Sequence, residues 1–323
     1  MLKDVEQVKN DIASGKVLVL AGDEALLEKL PEGNWIGGTI PYFMSDDGGV
    51  ITRTKIFVHE MNAPVLFHKI AAYGHDELDR IVHDAPKNGF TILIIPAGSK
   101  VHSCYAEAAP NLDGIFLKPI IGWISGMHLD DLGKKSARVF SGNPHVSSNN
   151  KAIAMHFNLP EVYMAKIGII NLFEQGTGDV VTFPEEGFAA RNAFINGNSV
   201  NFAHYLQENK VDTKLPLVAD YCGANVNVSI QEVRTNEVAF YAPVFQNLEY
   251  RIARPVTNYV KEFQAALPEG INPIFSCNCI LNFLYSELEG KVTEGMNGPV
   301  TFGEIAYQLL NQTLVYLEIL KID

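Results

Sequence analysis

Cysteine is scarce in this chain: Cys104, Cys222, Cys277 and Cys279 are four residues among 323. That is too few for a disulfide-stapled scaffold of this size. Cations are also short, with 25 Lys and Arg against 37 Asp and Glu and a net charge of −12. No cluster of lysines or arginines offsets this locally, so neither nucleic acid nor an anionic membrane is an expected partner. No apolar run approaches the ~18 residues needed to span a bilayer as a helix. The opening Met1-Leu-Lys-Asp-Val-Glu-Gln7 lacks the apolar core of a secretory leader. These absences predict a cytoplasmic protein whose partner is a small molecule.

Catalytic signatures are missing too. The nearest approach to a G-x-S-x-G nucleophile elbow is Gly122-Trp-Ile-Ser-Gly126, one residue too long. There is no Walker A sequence, and Gly176-Thr-Gly178 runs into a strand pattern where a dinucleotide fingerprint would enter a helix. His102-Ser-Cys104 could offer two soft metal ligands, but no third lies near it and no H-E-x-x-H occurs. A single axial histidine for haem requires no motif, so haem stays open as an alternative with no cofactor evident.

What is present is apolar and mixed. Apolar residues make up 47% and charged residues 19%, a globular composition with enough length for two domains. Val5, Val8 and Ile12 predict a first helix, and residues 17–21 a buried strand followed by a helix that Asp23 can cap. Trp35-Ile-Gly-Gly-Thr39 is β-prone but interrupted by Gly37 and Gly38, as where a strand bulges or something approaches the backbone. Asp46-Asp-Gly-Gly49 reads as a hairpin turn. Residues 76–83 and 101–109 read as helices, 90–95 as a core strand and 114–117 as a short strand. Residues 141–150, Ser-Gly-Asn-Pro-His-Val-Ser-Ser-Asn-Asn, read as an interdomain linker or a long surface loop. Beyond them the chain is β-rich, with helices at 200–208, 259–267 and 278–289 and an apolar closing strand ending at Leu320. The order lacks strict βαβ alternation. It predicts an α+β fold of two mixed lobes with largely antiparallel sheets, 1–145 and 146–323.

Several constellations invite chemistry. Cys277-Asn-Cys279 ends a strand and enters a helix, where the dipole would favour a thiolate. The plainer reading makes these cysteines, and Cys222, small buried hydrophobes. Arg251 has the planar fork that clamps carboxylates, and Glu304 could accept from an amine, so together they would suit a zwitterion such as an amino acid. The structural alternative is a buried ion pair or two separate surface charges. Polar Gly303-Glu304 and Asn311-Gln-Thr313 beside the closing strand must find partners or line a cavity.

Taken in order, residues 238–245, Glu249-Tyr-Arg251, Phe275-Ser-Cys277, Glu287-x-Glu289, Phe302-Gly-Glu-Ile305 and Asn311-Gln-Thr313 resemble the C-terminal half of a FIST domain, the ligand-binding sensory module of bacterial signal-transduction proteins. The resemblance spans roughly 165–320, and the N-terminal half is similar only in its glycine-rich strand. It implies a non-catalytic sensor holding an amino acid or similar metabolite between two lobes, with haem-based gas sensing in one branch. No kinase, cyclase or methyl-accepting segment accompanies it, so any signal is expected to pass to a separate protein. Arg251, Cys277 and Glu304 match the motif as pocket candidates, to which the local reading adds Gly37, Gly38, Thr39 and Tyr42. The competing expectation is an enzyme, hydrolase-like, with Cys277 and Glu304 as its catalytic pair.

Overall fold

A computed structural model describes residues 1–221 and 224–322, so Cys222 lies outside the described residues. The fold is α+β, with mostly antiparallel sheets and short helices. Contacts divide it into two compact units, 1–170 with 267–309 and 314–323, and 171–266 with 310–313.

The first unit holds the elements that build the candidate site. One sheet runs in the order Leu2–Lys3, Ile56–Glu60, Leu18–Gly22, Trp35–Thr39, Val139–Gly142 and His145–Ser148. A second contains Glu304–Ala306, Ile120–Ser125, Gly89–Pro96, Ala152–Asn158 and Phe67–Tyr73. The third explains why the units do not divide at residue 145. Tyr163–Ile170 pairs along its whole length with the closing strand Leu314–Lys321, which pairs in turn with Phe275–Cys279. Gly298–Thr301 then joins the hairpin of Tyr42–Ser45 and Gly48–Ile51, with Gly298 opposite Met44. C-terminal strands are therefore built into a sheet with an N-terminal hairpin, a pairing that sequence order conceals.

Local chemistry fixes the helices. Val5–Ala13 starts at a capping box in which the Asp4 N–H donates to Gln7 Oε1 at 2.9 Å, and it buries Val8 and Ile12. Asp23 caps Glu24–Leu27, accepting from the Ala25 N–H at 3.2 Å. Ser99 caps Lys100–Ala108 through the His102 N–H at 3.1 Å.

Three sequence expectations are corrected. Residues 141–150 are no linker: Val139–Gly142 and His145–Ser148 form a hairpin whose turn is tied by the Ser141 hydroxyl donating to the Pro144 carbonyl at 2.6 Å. Their Ser, Asn and Pro serve the turn itself. Residues 114–117 form no strand; Gly114 at φ 73° opens a single 3-10 turn, Ile115–Leu117. The helix expected over 278–289 is only Ile280–Tyr285, since Glu287 at φ 51° turns the chain back.

The second unit has a sheet ordered Asn198–Asn201, Asn192–Ile195, Val181–Thr182, Tyr250–Ile252, Leu217–Tyr221 and Ala224–Val228. A three-stranded sheet of Gly187–Ala190, Val238–Val244 and Ile230–Val233 accompanies it. Its core gathers Phe183, Phe202, Phe240 and Tyr250, with the helix Phe202–Glu208 contributing Phe202 and Leu206.

A directed hydrogen-bond chain crosses the second sheet of the first unit. The Tyr73 hydroxyl donates to Asp84 Oδ2 at 2.9 Å, so at 2.8 Å it accepts from His156 Nε2. That leaves His156 Nδ1 to accept from the Thr91 hydroxyl at 2.8 Å. Burial, outweighing the nearby Asp84 carboxylate, lowers the His156 pKa to about 4. The folded protein thus binds this proton later than the unfolded chain, and the associated stability is present above pH ~6.5 and lost as pH falls towards ~4. The expected loss is of order 3 kcal/mol over that window. Urea unfolding of wild type and His156→Asn at a series of pH values isolates it: the variant is weaker at neutral pH but loses less on acidification. Parallel pH profiles would show that His156 does not carry this term.

Candidate functional site

The candidate site grows from two pairs of parallel strands. Leu18–Gly22 runs parallel to Trp35–Thr39 with Gly22 opposite Thr39, and Gly89–Pro96 runs parallel to Ile120–Ser125 with Pro96 opposite Ser125. Carboxyl ends of parallel strands are where α/β sheets commonly present ligand sites, because the loops that leave them diverge. Thr39 ties two of these ends together. Its hydroxyl donates to the Gly126 carbonyl at 2.6 Å and accepts from the Arg138 N–H at 2.9 Å. The Gly126 N–H in turn donates to the Thr39 carbonyl at 2.7 Å, and the Ile40 N–H to that of Gly22 at 3.0 Å.

Above Thr39 lies a small, partly open cleft with about 20 Å³ of free space, walled by Asp23, Glu24, Met127, His128, Asp131 and Lys135 among others. Its charges are mostly paired. Glu24 meets Arg138 at 3.3 Å, and Asp131 meets Arg53 at 2.9 Å and Lys135 at 3.5 Å. Burial pushes the Asp131 carboxyl up, but Arg53 and Lys135 outweigh it and hold it below its ordinary value. Asp23 differs, since its carboxylate accepts only the capping Ala25 N–H among the described residues.

The residues expected from sequence fall in several places. Thr39 forms part of the cleft. Tyr42 is 2% exposed and supports the cleft from behind: its ring stacks on His128 at 5.6 Å, and its hydroxyl accepts from the Leu129 N–H at 3.0 Å. Burial raises its pKa. Gly37 and Gly38 lie buried within their strand, which is why their openness to a ligand is not realised. A Cβ on Gly38 would stand 2.7 Å from Ile94 Cγ2, 3.0 Å from Ser125 Cβ and 3.1 Å from Trp123 Nε1, so glycine lets the first two sheets approach. Arg251 belongs to the second unit, where it donates to the Gly178 carbonyl, whereas Glu304 belongs to the first.

Cys277 and Glu304 lie together in the interior. Cys277 is 1% exposed, with its thiol donating to the Gly122 carbonyl at 3.3 Å. Glu304 is fully buried and accepts from the Thr301 hydroxyl at 3.3 Å. Burial first, then Glu304 and Cys279, pushes the Cys277 thiol well above its ordinary value. The thiolate expected from a helix dipole is therefore disfavoured: the helix begins at Ile280, two residues on from Cys279's neighbour Asn278, and desolvation dominates. This corrects the reading of Cys277 as a nucleophile. His102 sits on the helix Lys100–Ala108, and no group of three metal-ligating side chains gathers among the described residues. No described helix is long and apolar enough to cross a membrane. His128 and Lys135 were missed from sequence and Asp23 was read only as a helix cap, because nothing in their local spacing marks them for a site; only the meeting of strand ends brings them to one cleft.

A family model matches residues 3–320 over nearly the whole chain. The chain belongs to DUF6976, a family of unknown function. No curated protein and no solved structure matches it. Nothing in these comparisons links the DUF6976 chain to the FIST domain.

Two outcomes follow for this family member. Alkylation of the native protein, read by peptide mass spectrometry, should modify the half-buried Cys104 while Cys277 and Cys279 react only after denaturation. Native labelling of Cys277 at the rate of a free thiol would contradict its assignment to the core. Gly38→Ala should destabilise the fold by about 1–3 kcal/mol through overpacking, measurable by chemical unfolding. An unchanged midpoint would mean that the two sheets yield at this contact.

Proposed function

We propose that this protein is a non-catalytic binding protein for a small zwitterion, an amino acid or similar metabolite, held in the cleft above Thr39. The observation that carries this reading is the cleft's charge pattern. Asp23 presents a carboxylate outside any ion pair among the described residues, while Lys135 shares Asp131 with Arg53 at 3.5 Å. A ligand ammonium would meet Asp23, and a ligand carboxylate would compete for Lys135, each through a charge-assisted hydrogen bond. The location supports the same reading, since parallel strand ends converge there. The sensory part of the proposal, with a separate protein receiving the signal, rests on the FIST-like order of motifs between 238 and 313.

The test is thermal unfolding with a panel of amino acids, short acids and amines. A true ligand at 100 times its Kd stabilises the native state by about 2.7 kcal/mol. For a chain of this size that is a rise of roughly 5 °C in Tm. Asp23→Asn keeps a good N-cap while removing the charge, so its own Tm should stay close to wild type while the ligand-dependent rise disappears. A panel that shifts nothing, or a rise that survives in both Asp23→Asn and Lys135→Ala, would overturn the assignment.

A further inference from the structure

One wall of the cleft is a single turn capped by a histidine. His128 stacks on Tyr42 with ring planes 22° apart and is 21% exposed. Its Nδ1 accepts from the Asp130 N–H at 3.2 Å and so caps the 3-10 turn Leu129–Asp131. The same nitrogen lies 3.4 Å from Asp130 Oδ2. Accepting a hydrogen bond requires a free lone pair on Nδ1, which only the neutral imidazole offers. Once protonated, Nδ1 becomes a donor: it releases the Asp130 amide and pairs instead with the Asp130 carboxylate. The two arrangements exclude each other, since one nitrogen serves both.

The surroundings make this exchange consequential. Asp131, the last residue of the turn, holds Arg53 and Lys135. Tyr42 faces the ring from its own strand and anchors the Leu129 amide. Asp23 and Glu24, the latter paired with Arg138, face the same cleft. Moving Asp130 therefore moves the segment that carries Asp131, and with it the position of Lys135 and the charge of the wall.

We propose that His128 is a proton-operated switch in which the turn 128–131 alternates between a histidine-capped and a His128–Asp130 ion-paired form, reshaping the cleft wall. As a device regulating ligand access it rests on the reading of the cleft as a binding site, but its test needs no ligand. Histidine is the side chain that ordinarily changes charge between about pH 5 and 8. Amide exchange of the full-length protein, normalised to intrinsic rates, is measured at about pH 8 and about pH 5.5. Protection of the Asp130 amide should fall roughly fivefold or more at the lower pH in wild type. His128→Asn keeps a side-chain acceptor that does not titrate, and its protection should stay level. Equal wild-type protection at both pH values, or the same fall in His128→Asn, would overturn the switch. A working switch in a protein that no panel compound stabilises would uphold this proposal and count against the ligand assignment alone.

Discussion

The Thr39 hydroxyl is the contact on which the site depends. A buried hydroxyl must both donate and accept to repay its desolvation, and Thr39 does so across three segments remote in sequence. It donates to Gly126 at 2.6 Å and accepts from Arg138 at 2.9 Å. Valine would fill the same space and leave the Gly126 carbonyl and the Arg138 amide without this partner. Gly38, one residue earlier, lets the two sheets come close enough for that bond to form, and Ile40, one residue later, ties the strand end to Gly22. Close packing, strand register and cleft position therefore follow from three consecutive residues.

Electrostatics in the first unit are decided by depth. At the cleft, Asp131 is near enough to water and cations for Arg53 and Lys135 to outweigh burial. In the interior, Cys277 sits beside a buried carboxyl and far from any such compensation, so desolvation sets its state. A helix terminus is worth at most a few kcal/mol at close range. It does not recover a thiol that is 1% exposed. Ionic chemistry in this molecule thus belongs to the surface cleft and not to the apolar interior.

Sequence patterning conveyed the periodic parts well. The first helix with Val8 and Ile12 inside, the Asp23 cap, the hairpin around Asp46–Gly49 and the closing strand all depend on neighbours within a few residues. The α+β character follows from the same local signals. What escaped was tertiary. The pairing of Gly298 with Met44 joins residues from opposite ends of the chain. The cleft brings Asp23, after Leu18–Gly22, together with His128 and Lys135 from the connection between Ile120–Ser125 and Val139–Gly142. Thr39 and Tyr42 drew attention through the unusual glycine pair before them, yet that pair serves sheet packing. Their nearness to the cleft reflects the fact that a strand packed so tightly must end where its sheet ends.

The Asn311-Gln-Thr313 motif marks the limit of such reasoning. Polar residues beside a buried strand either line a cavity or are satisfied internally, and composition is the same in both cases. Here internal bonding takes up most of these groups, while Asn311 Nδ2 is buried without a hydrogen bond among the described residues. Asn311 Oδ1 accepts from the Ser229 hydroxyl at 2.8 Å and from its amide at 3.0 Å. The single proton of that hydroxyl is shared with Gln312 Oε1, 2.6 Å away, while Gln312 Nε2 donates to the Lys214 carbonyl at 3.1 Å. Asn227 donates to the carbonyl of Asn311 at 3.1 Å. Within the second unit this segment is a polar pin, held through the Asn311 and Gln312 side-chain oxygens and Gln312 Nε2. The inference from buried polarity to a pocket therefore needs a further condition: the group must retain bonding capacity after its protein partners are assigned. Asp23 meets that condition at the cleft, where one capping amide leaves most of a carboxylate's acceptor sites available. Asn311 Oδ1, which already accepts both the Ser229 amide and its hydroxyl, does not.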